Sequence, residues 1–114
     1  MGSPDVLPDG VIAVVKSECP ACQLTAGVLS GLGDDGHITV YTQDDPTFPA
    51  DGDWVIDDTD LAVSWHHSIE AVPTLLRIVD GVEVERTTGW LRDDWESLIG
   101  IGDLGPGLPD FKPG

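Results

Sequence analysis

A short run of apolar, mostly β-branched residues gives way to helical periodicity near the start of the chain. Val11 to Val15 reads "VIAVV", which is typical of a strand buried on both faces of a parallel sheet. After Cys19 the apolar residues recur at helical spacing, at Leu24, Val28, Leu29 and Leu32. His37 to Thr42 then predicts a second buried strand. Two such strands joined by a helix form a βαβ unit, which commits the chain to an α/β fold with a right-handed crossover.

The second half of the chain adds a helix, a hairpin and a final helix. Asp58 to Ile69 carries a capping residue followed by apolar residues at helical spacing. The stretch "TLLRIV-DG-VEVERTT" predicts a β-hairpin, because Asp80-Gly81 is a pair that a type I′ turn favours. Leu91 to Ile99 has the pattern of a last amphipathic helix. The predicted order is β-α-β-α-β-β-α.

The length of 114 residues fits one domain, which we place at residues 1–100. Within it, residues 44–60 form an acidic insertion that we expect to rim the carboxyl edge of the sheet, or else to be a solvated loop with Trp54 at the core edge. Residues 101–114 are rich in Gly and Pro and predict a tail or linker. We expect Gly27 and Gly31 to pack closely on the sheet.

Charge is the most unusual bulk property of this sequence. Five Lys and Arg face 21 Asp and Glu, giving a net charge of −16, which opposes binding to nucleic acid or to anionic membranes. Two explanations stay open, namely solubility or adaptation to high salt, and selection of basic partners. The N-terminal stretch "MGSPDVLPDG" has no basic start and no apolar core, so we expect a cytoplasmic protein.

The only two cysteines in the chain, Cys19 and Cys22, stand three positions apart around Pro20. A lone C-x-x-C is compatible with a catalytic dithiol, half of a metal site or two small core residues. Its position, where a buried strand ends and a helix begins, favours the dithiol. The free amides and dipole at a helix start stabilise a thiolate on Cys19, while Cys22 is placed to close a disulfide.

Four features together resemble the thioredoxin/glutaredoxin superfamily. They are the strand-to-helix "CPAC", the segment "EAVPT", the Asp-Gly hairpin after it, and "TTGW" before the last helix. The resemblance implies a three-layer thioredoxin-like fold with a central four-stranded mixed sheet. It also implies that Cys19 is the nucleophile and Cys22 the resolving thiol.

The same resemblance implies a substrate-docking loop at Val72 and Pro73, with a cis peptide bond between them, and a close approach of substrate at Gly89. Three residues beside the dithiol are expected to modulate it: Glu18, Pro20 and Lys16. This sequence departs from thioredoxins at two positions, with Glu18 in place of a Trp and Ala13 in place of a buried acid.

The sequence therefore predicts a thiol–disulfide oxidoreductase that reduces or exchanges disulfides. The alternative is a redox-inactive thioredoxin-like binding module that presents an acidic surface to a protein partner. Expected partners are protein or peptide disulfides, basic ones above all, together with an electron donor; no cofactor is expected. No metal site is expected either, because the neighbours His66 and His67 point about 100° apart on a helix. Trp65, Trp90 and Trp95 are expected to be core or groove-lining residues.

Overall fold

The computed structural model describes residues 6–114. Residues 1–5, which begin the predicted domain and the N-terminal stretch discussed above, lie outside the described part. The strands are β1 (Gly10–Val15), β2 (Ile38–Thr42), β3 (Val55–Asp57), β4 (Thr74–Val79), β5 (Val82–Thr88), β6 (Trp90–Leu91) and β7 (Phe111–Lys112). The helices are α1 (Pro20–Leu24), α2 (Ala26–Asp34), α3 (Ala62–His66) and α4 (Arg92–Ile99).

Strand β1 lies at the centre of a five-stranded sheet with the order β3-β2-β1-β4-β5. It runs parallel to β2 and antiparallel to β4, so the sheet is mixed. Alternate side chains of β1 enter separate core clusters, with Ala13 packing on the α2 and α4 side and Ile12 on the side of α3. Both faces of the sheet are therefore covered at its central strands, which confirms the predicted three-layer α/β architecture.

The helix predicted after Cys19 is divided at Thr25. The Thr25 hydroxyl donates to the carbonyl oxygens of Ala21, at 2.9 Å, and Cys22, at 3.2 Å. Such back-bonding competes with the helical ladder and bends the chain. The result is a five-residue α1 that carries the cysteine pair and a separate α2 that packs on β2.

The sheet has one strand more than predicted, because the acidic insertion contains β3. This strand pairs in parallel with β2, from Val40 opposite Val55 to Thr42 opposite Asp57. It covers the β2 edge that a four-stranded sheet would leave open, while β5 forms the opposite edge. Val82 and Val84 on β5 are exposed.

Helix α3 is shorter than the sequence pattern suggested. The buried Asp58 carboxylate accepts the backbone amides of Val63 and Ser64, both at 2.9 Å, and so holds the start of the helix. The helix ends at His66, and Trp65 in its last turn is 84 % exposed. The expectation of a core or groove position is therefore wrong for Trp65.

The other two tryptophans of that expectation are both fully buried. Trp90 and Trp95 pack edge to face, with ring centroids 4.9 Å apart. For this pair the expectation is confirmed.

The glycines of α2 do not have the role expected of them. A Cβ atom added to Gly27 or Gly31 would have no neighbour within 4 Å, so close packing on the sheet does not explain either residue. These two positions instead line an open groove of about 540 Å³ between α2 and residues 101–108. The close approach occurs at Gly33, where a Cβ would lie 2.2 Å from the Trp54 ring.

Residues 101–114, expected to be a tail or linker, fold back onto the domain. The Arg92 side chain donates to the carbonyl oxygens of Leu104, at 2.9 Å, and of Gly105 and Leu108, both at 2.8 Å, and it pairs with Asp110. Strand β7 then pairs with β6. None of the helices within residues 6–114 has the length and hydropathy to cross a bilayer.

Candidate active site

Three segments meet at one edge of the sheet because of the strand directions. Cys19 follows the carboxyl end of β1, and β4 starts beside that end because the two strands are antiparallel, with Val14 opposite Thr74. The Val72-Pro73 loop directly precedes β4. Gly89 follows β5, and its amide donates to the Pro73 carbonyl at 2.7 Å. The fold thus brings together the residues that the sequence assigned to the dithiol and to substrate docking.

Cys19 occupies the N-cap position of α1, with extended backbone angles (φ −85°, ψ 121°), and Pro20 is the first helical residue. Its Sγ accepts a hydrogen bond from the Cys22 amide at 3.2 Å. The same thiol donates to the Val72 carbonyl at 3.3 Å. The Cys19 sulfur thus lies between one backbone donor and one backbone acceptor, the Cys22 amide and the Val72 carbonyl.

Cys22 lies one turn further along the helix and is fully buried. Burial raises the pKa of the Cys22 thiol far above its usual range, and the hydrogen bond with Cys19 raises it further. Cys22 is therefore a protonated thiol at neutral pH. Both sulfurs belong to buried residues, but Cys19 keeps 9 % of its surface exposed and lines the cavity beside Val72, whereas Cys22 has no exposed surface.

Asp44 holds the loop that leads into Cys19, a role that sequence reasoning did not find. Its carboxylate accepts the Ser17 amide at 2.8 Å, the Ser17 hydroxyl at 2.7 Å and the Glu18 amide at 3.3 Å. Partial burial raises the pKa of Asp44, but these hydrogen bonds lower it by more, so the pKa lies below the ordinary value of Asp. The signal available in the sequence was an acid placed directly after the carboxyl end of a parallel strand.

The backbone has unusual conformations in the Val72-Pro73 loop and at Gly89 beside it. The Val72–Pro73 peptide bond is cis, and Pro73 is buried. Gly89 has φ +80°, a conformation that residues with side chains rarely adopt. Its carbonyl accepts the Trp95 indole N–H at 2.9 Å, which ties this corner to α4.

A cavity of about 410 Å³ lies between the cysteine loop and the docking loop. It is lined by Lys16, Glu18, Cys19, Pro20, Glu70, Ala71, Val72 and Gly114. All three residues predicted to modulate the dithiol are therefore in this wall. Glu70 and Gly114 were not singled out in the sequence, because nothing local marks a residue that reaches a site from a distant loop.

Most of the acidic insertion lies away from Cys19. Trp54 packs on Gly33 near the end of α2 remote from Cys19, and its indole N–H donates to Asp34 at 3.2 Å. Asp58 is engaged in holding α3. Of the seven aspartates between positions 44 and 60, only Asp44 has a hydrogen bond to the cysteine loop. Of the two expectations for the insertion, the position at the rim of the site is seen at Asp44, whereas Trp54 lies at the core edge, as the other expectation had it.

The two neighbouring histidines contact each other, with ring centroids 5.0 Å apart and planes at 69°. Within residues 6–114, no group of three or more His, Cys, Asp or Glu residues is arranged to hold a metal ion. The cysteine pair has no third ligand of this kind in that range.

No protein-family model and no curated protein sequence matches the chain. Its fold is similar to a solved structure, that of a secreted Mycobacterium tuberculosis disulfide oxidoreductase homologous to E. coli DsbE. The TM-score is 0.53 at 15 % sequence identity, and the match covers 80 % of this chain and 79 % of that one. At such low identity the similarity concerns the fold alone. The chain therefore has a thioredoxin-like fold.

Proposed function

We propose that this protein is a thiol–disulfide oxidoreductase in which Cys19 attacks and Cys22 resolves. The observation that carries the proposal is the environment of the Cys19 sulfur, between the Cys22 amide at 3.2 Å and the Val72 carbonyl at 3.3 Å. The structural neighbour, a disulfide oxidoreductase, supports the same activity at the level of the fold.

The reaction uses the two thiols of the protein, a substrate disulfide and an external dithiol as electron donor. The Cys19 thiolate attacks one sulfur of a substrate disulfide, whose S–S bond breaks, and the departing sulfur takes the electron pair and a proton. The Cys22 sulfur then attacks the Cys19 sulfur, the bond between Cys19 and the substrate breaks, and the second substrate sulfur leaves with the electron pair and takes the proton that Cys22 gives up. Two electrons have passed to the substrate, and an external dithiol returns the protein to its reduced form.

Substrate docking rests on Val72, Pro73 and Gly89. An extended substrate backbone beside Val72 would bring its sulfur to Cys19, because the Val72 carbonyl and the Cys19 sulfur already lie within hydrogen-bond distance. We propose polypeptide disulfides, with a preference for basic ones, as substrates. Two acids, Glu18 and Glu70, face a single base, Lys16, in the cavity wall.

A trapping experiment tests the proposal. With dithiothreitol as donor, the protein is expected to reduce a peptide disulfide. Cys19→Ser should abolish the reaction, and Cys22→Ser should accumulate a mixed disulfide on Cys19 that mass spectrometry detects. Iodoacetamide should label Cys19 before Cys22 at pH 7, since Cys22 is buried and protonated. Full activity in Cys19→Ser would refute the proposal.

The alternative, a redox-inactive module with an acidic surface, is favoured by one observation. The fully buried Ala13 stands on β1 in the same core cluster as Cys22, where an acid would otherwise accept the Cys22 proton. Introducing an acid at this position with Ala13→Asp distinguishes the oxidoreductase from the redox-inactive module. Faster resolution of the mixed disulfide in this variant is expected of the oxidoreductase, whereas a module shows no resolution in either form.

The compartment stays a prediction. The sequence predicted the cytoplasm, whereas the structural neighbour is described as secreted. The reduction potential of the Cys19–Cys22 pair bears on this point, because a potential near that of cytosolic reductants favours reduction of substrates and a higher one favours their oxidation.

A further inference from the structure

The last residues of the described chain lie against the backbone of the proposed docking loop at Val72. After the Asp110 carbonyl accepts the Arg92 amide at 3.0 Å, β7 pairs with β6, with Trp90 opposite Lys112. This path carries Pro113 and Gly114 from the α4 side of the domain toward the cavity that contains Cys19. We call residues 111–114 the C-terminal strap.

The strap contacts both docking elements. A Cβ atom added to Gly114 would lie 2.3 Å from the Val72 carbonyl oxygen and 3.0 Å from the Val72 carbonyl carbon. A Cβ atom added to Gly89 would lie 3.2 Å from the Gly114 nitrogen and 3.2 Å from the Lys112 carbonyl oxygen. At these distances a substrate backbone and Gly114 cannot occupy the face of Val72 together.

We propose that the C-terminal strap is an intramolecular occupant of the docking site, which an extended polypeptide must displace before its disulfide reaches Cys19. The inference rests on the proposed function. A small disulfide needs no backbone pairing with Val72 and enters the 410 Å³ cavity directly. The strap therefore discriminates between small disulfides and polypeptides.

The strap is held weakly enough to be displaced. Phe111 is 57 % exposed, and the pairing between β6 and β7 extends over only two residues. The strong contacts, those of Arg92 with the carbonyl oxygens of Leu104, Gly105 and Leu108, come before the strap. Release of residues 111–114 hence leaves the rest of the segment in place, with Asp110 as the hinge.

Gly114→Val tests this proposal in the full chain. The new side chain would overlap the Val72 carbonyl, so we expect the strap to leave the docking site. Gly102→Val is the matched control, because a Cβ atom at Gly102 meets nothing within 4 Å. We measure kcat/KM for a peptide disulfide and for 2-hydroxyethyl disulfide, with dithiothreitol as donor. Gly114→Val should raise the ratio of the peptide value to the small-disulfide value severalfold, and Gly102→Val should leave this ratio unchanged. An unchanged or lowered ratio in Gly114→Val and in the shortened chain described next would overturn the proposal.

A second variant that lacks Pro113 and Gly114 covers the case in which a small shift of the strap accommodates the Gly114→Val side chain. It should reproduce the gain for the peptide. A shortened chain with the peptide kcat/KM of the unaltered protein would count against the strap as a barrier.

A binding experiment separates failure of the strap from failure of the proposed function. In the Cys19→Ser/Cys22→Ser background no redox step occurs, and the Kd of the same peptide with Ser in place of Cys is measured by fluorescence anisotropy. Removal of the strap should lower this Kd severalfold. Tighter binding without any disulfide reduction would sustain the strap and refute the oxidoreductase. Disulfide reduction with an unchanged Kd and rate would refute the strap alone.

Discussion

Two segments lie outside the simple strand–helix alternation, and they differ in how they relate to the dithiol. The acidic insertion, residues 44–60, adds β3 to the sheet. It is anchored by Trp54, which packs on Gly33 at the C-terminal end of α2. The C-terminal segment, residues 101–114, adds β7 and ends beside Val72. The acidic insertion, which the sequence suggested lies at the site, mainly extends the sheet. The C-terminal segment, which the sequence suggested is a linker, reaches the cavity beside Cys19. Composition alone is therefore a poor guide to which segment meets the chemistry.

The largest effect is expected from the anchor of the C-terminal segment. Arg92→Met removes the donors to three backbone carbonyl oxygens and should lower the free energy of unfolding by about 3 kcal/mol. Asp110→Asn is the matched control, because it weakens only an ion pair whose carboxylate is 87 % exposed, and should cost less than about 1 kcal/mol. Urea titration measures both values. Equal losses of unfolding free energy in the two variants would mean that the Arg92–Asp110 ion pair, and not the hydrogen bonds to the carbonyl oxygens, holds the segment.

The anchor of the insertion is tested by two glycines of the same helix. Gly33→Ala forces a Cβ into the Trp54 ring and should destabilise the protein by about 2 kcal/mol. Gly31→Ala meets no neighbour within 4 Å and should stabilise it by up to about 1 kcal/mol through helix propensity. Thermal unfolding measures both the expected loss of stability in Gly33→Ala and the expected gain in Gly31→Ala. Cys19 should react with iodoacetamide at the same rate in both variants, since this anchor lies away from the site.

Asp44 is the point where the insertion meets the cysteine loop, and its effect should depend on pH. Asp44→Ala removes the acceptor for Ser17 and Glu18 and should cost about 1 kcal/mol at pH 7. The folded-state pKa of Asp44 lies below the ordinary value of 3.8, so its stabilisation is present above that value and lost as pH falls through the folded-state pKa. Urea titrations of both proteins should therefore show a smaller difference in the free energy of unfolding at pH 2.5 than at pH 7. A constant difference over this range would show that the carboxylate charge has no role.

The smallest effect concerns substrate charge. Glu18→Gln together with Glu70→Gln should reduce the preference for basic over acidic peptide disulfides by about threefold at low ionic strength, a small part of what steering can supply. Asp51→Asn together with Asp53→Asn removes the same charge from the insertion and should change the preference less. Initial rates at two salt concentrations measure it. A larger loss of this preference in the Asp51→Asn/Asp53→Asn variant would indicate that the insertion lies at the rim of the site after all.

The elements that the sequence predicted well are those whose signals are local. The apolar run of β1, the Asp80-Gly81 turn and the periodicity of α4 depend on neighbouring residues, and each element lies within a residue or two of its predicted position. The position of Cys19 at a helix start came from the same kind of signal, with Pro20 beside it.

What the sequence did not predict depends on contacts between distant segments. Strand β3 has three residues and exists because β2 offers an open edge, and β7 pairs with β6 about 20 residues earlier in the chain. The break at Thr25 follows from a hydroxyl that many helices accommodate without bending. Asp44 and Gly114 became part of the candidate site only when the strands brought their loops together.

The two outer strands of the sheet also bear on self-association. Val82 and Val84 on β5 offer a second copy an exposed apolar edge, but Glu83 and Glu85 alternate with them. Antiparallel pairing of two such edges would set glutamates against glutamates. On the other side β3 is only three residues long and ends in Asp57. With a net charge of −16, edge-to-edge stacking of this protein into fibrils is opposed at low salt, and the valines of β5 are the positions where loss of the flanking charges would first permit it.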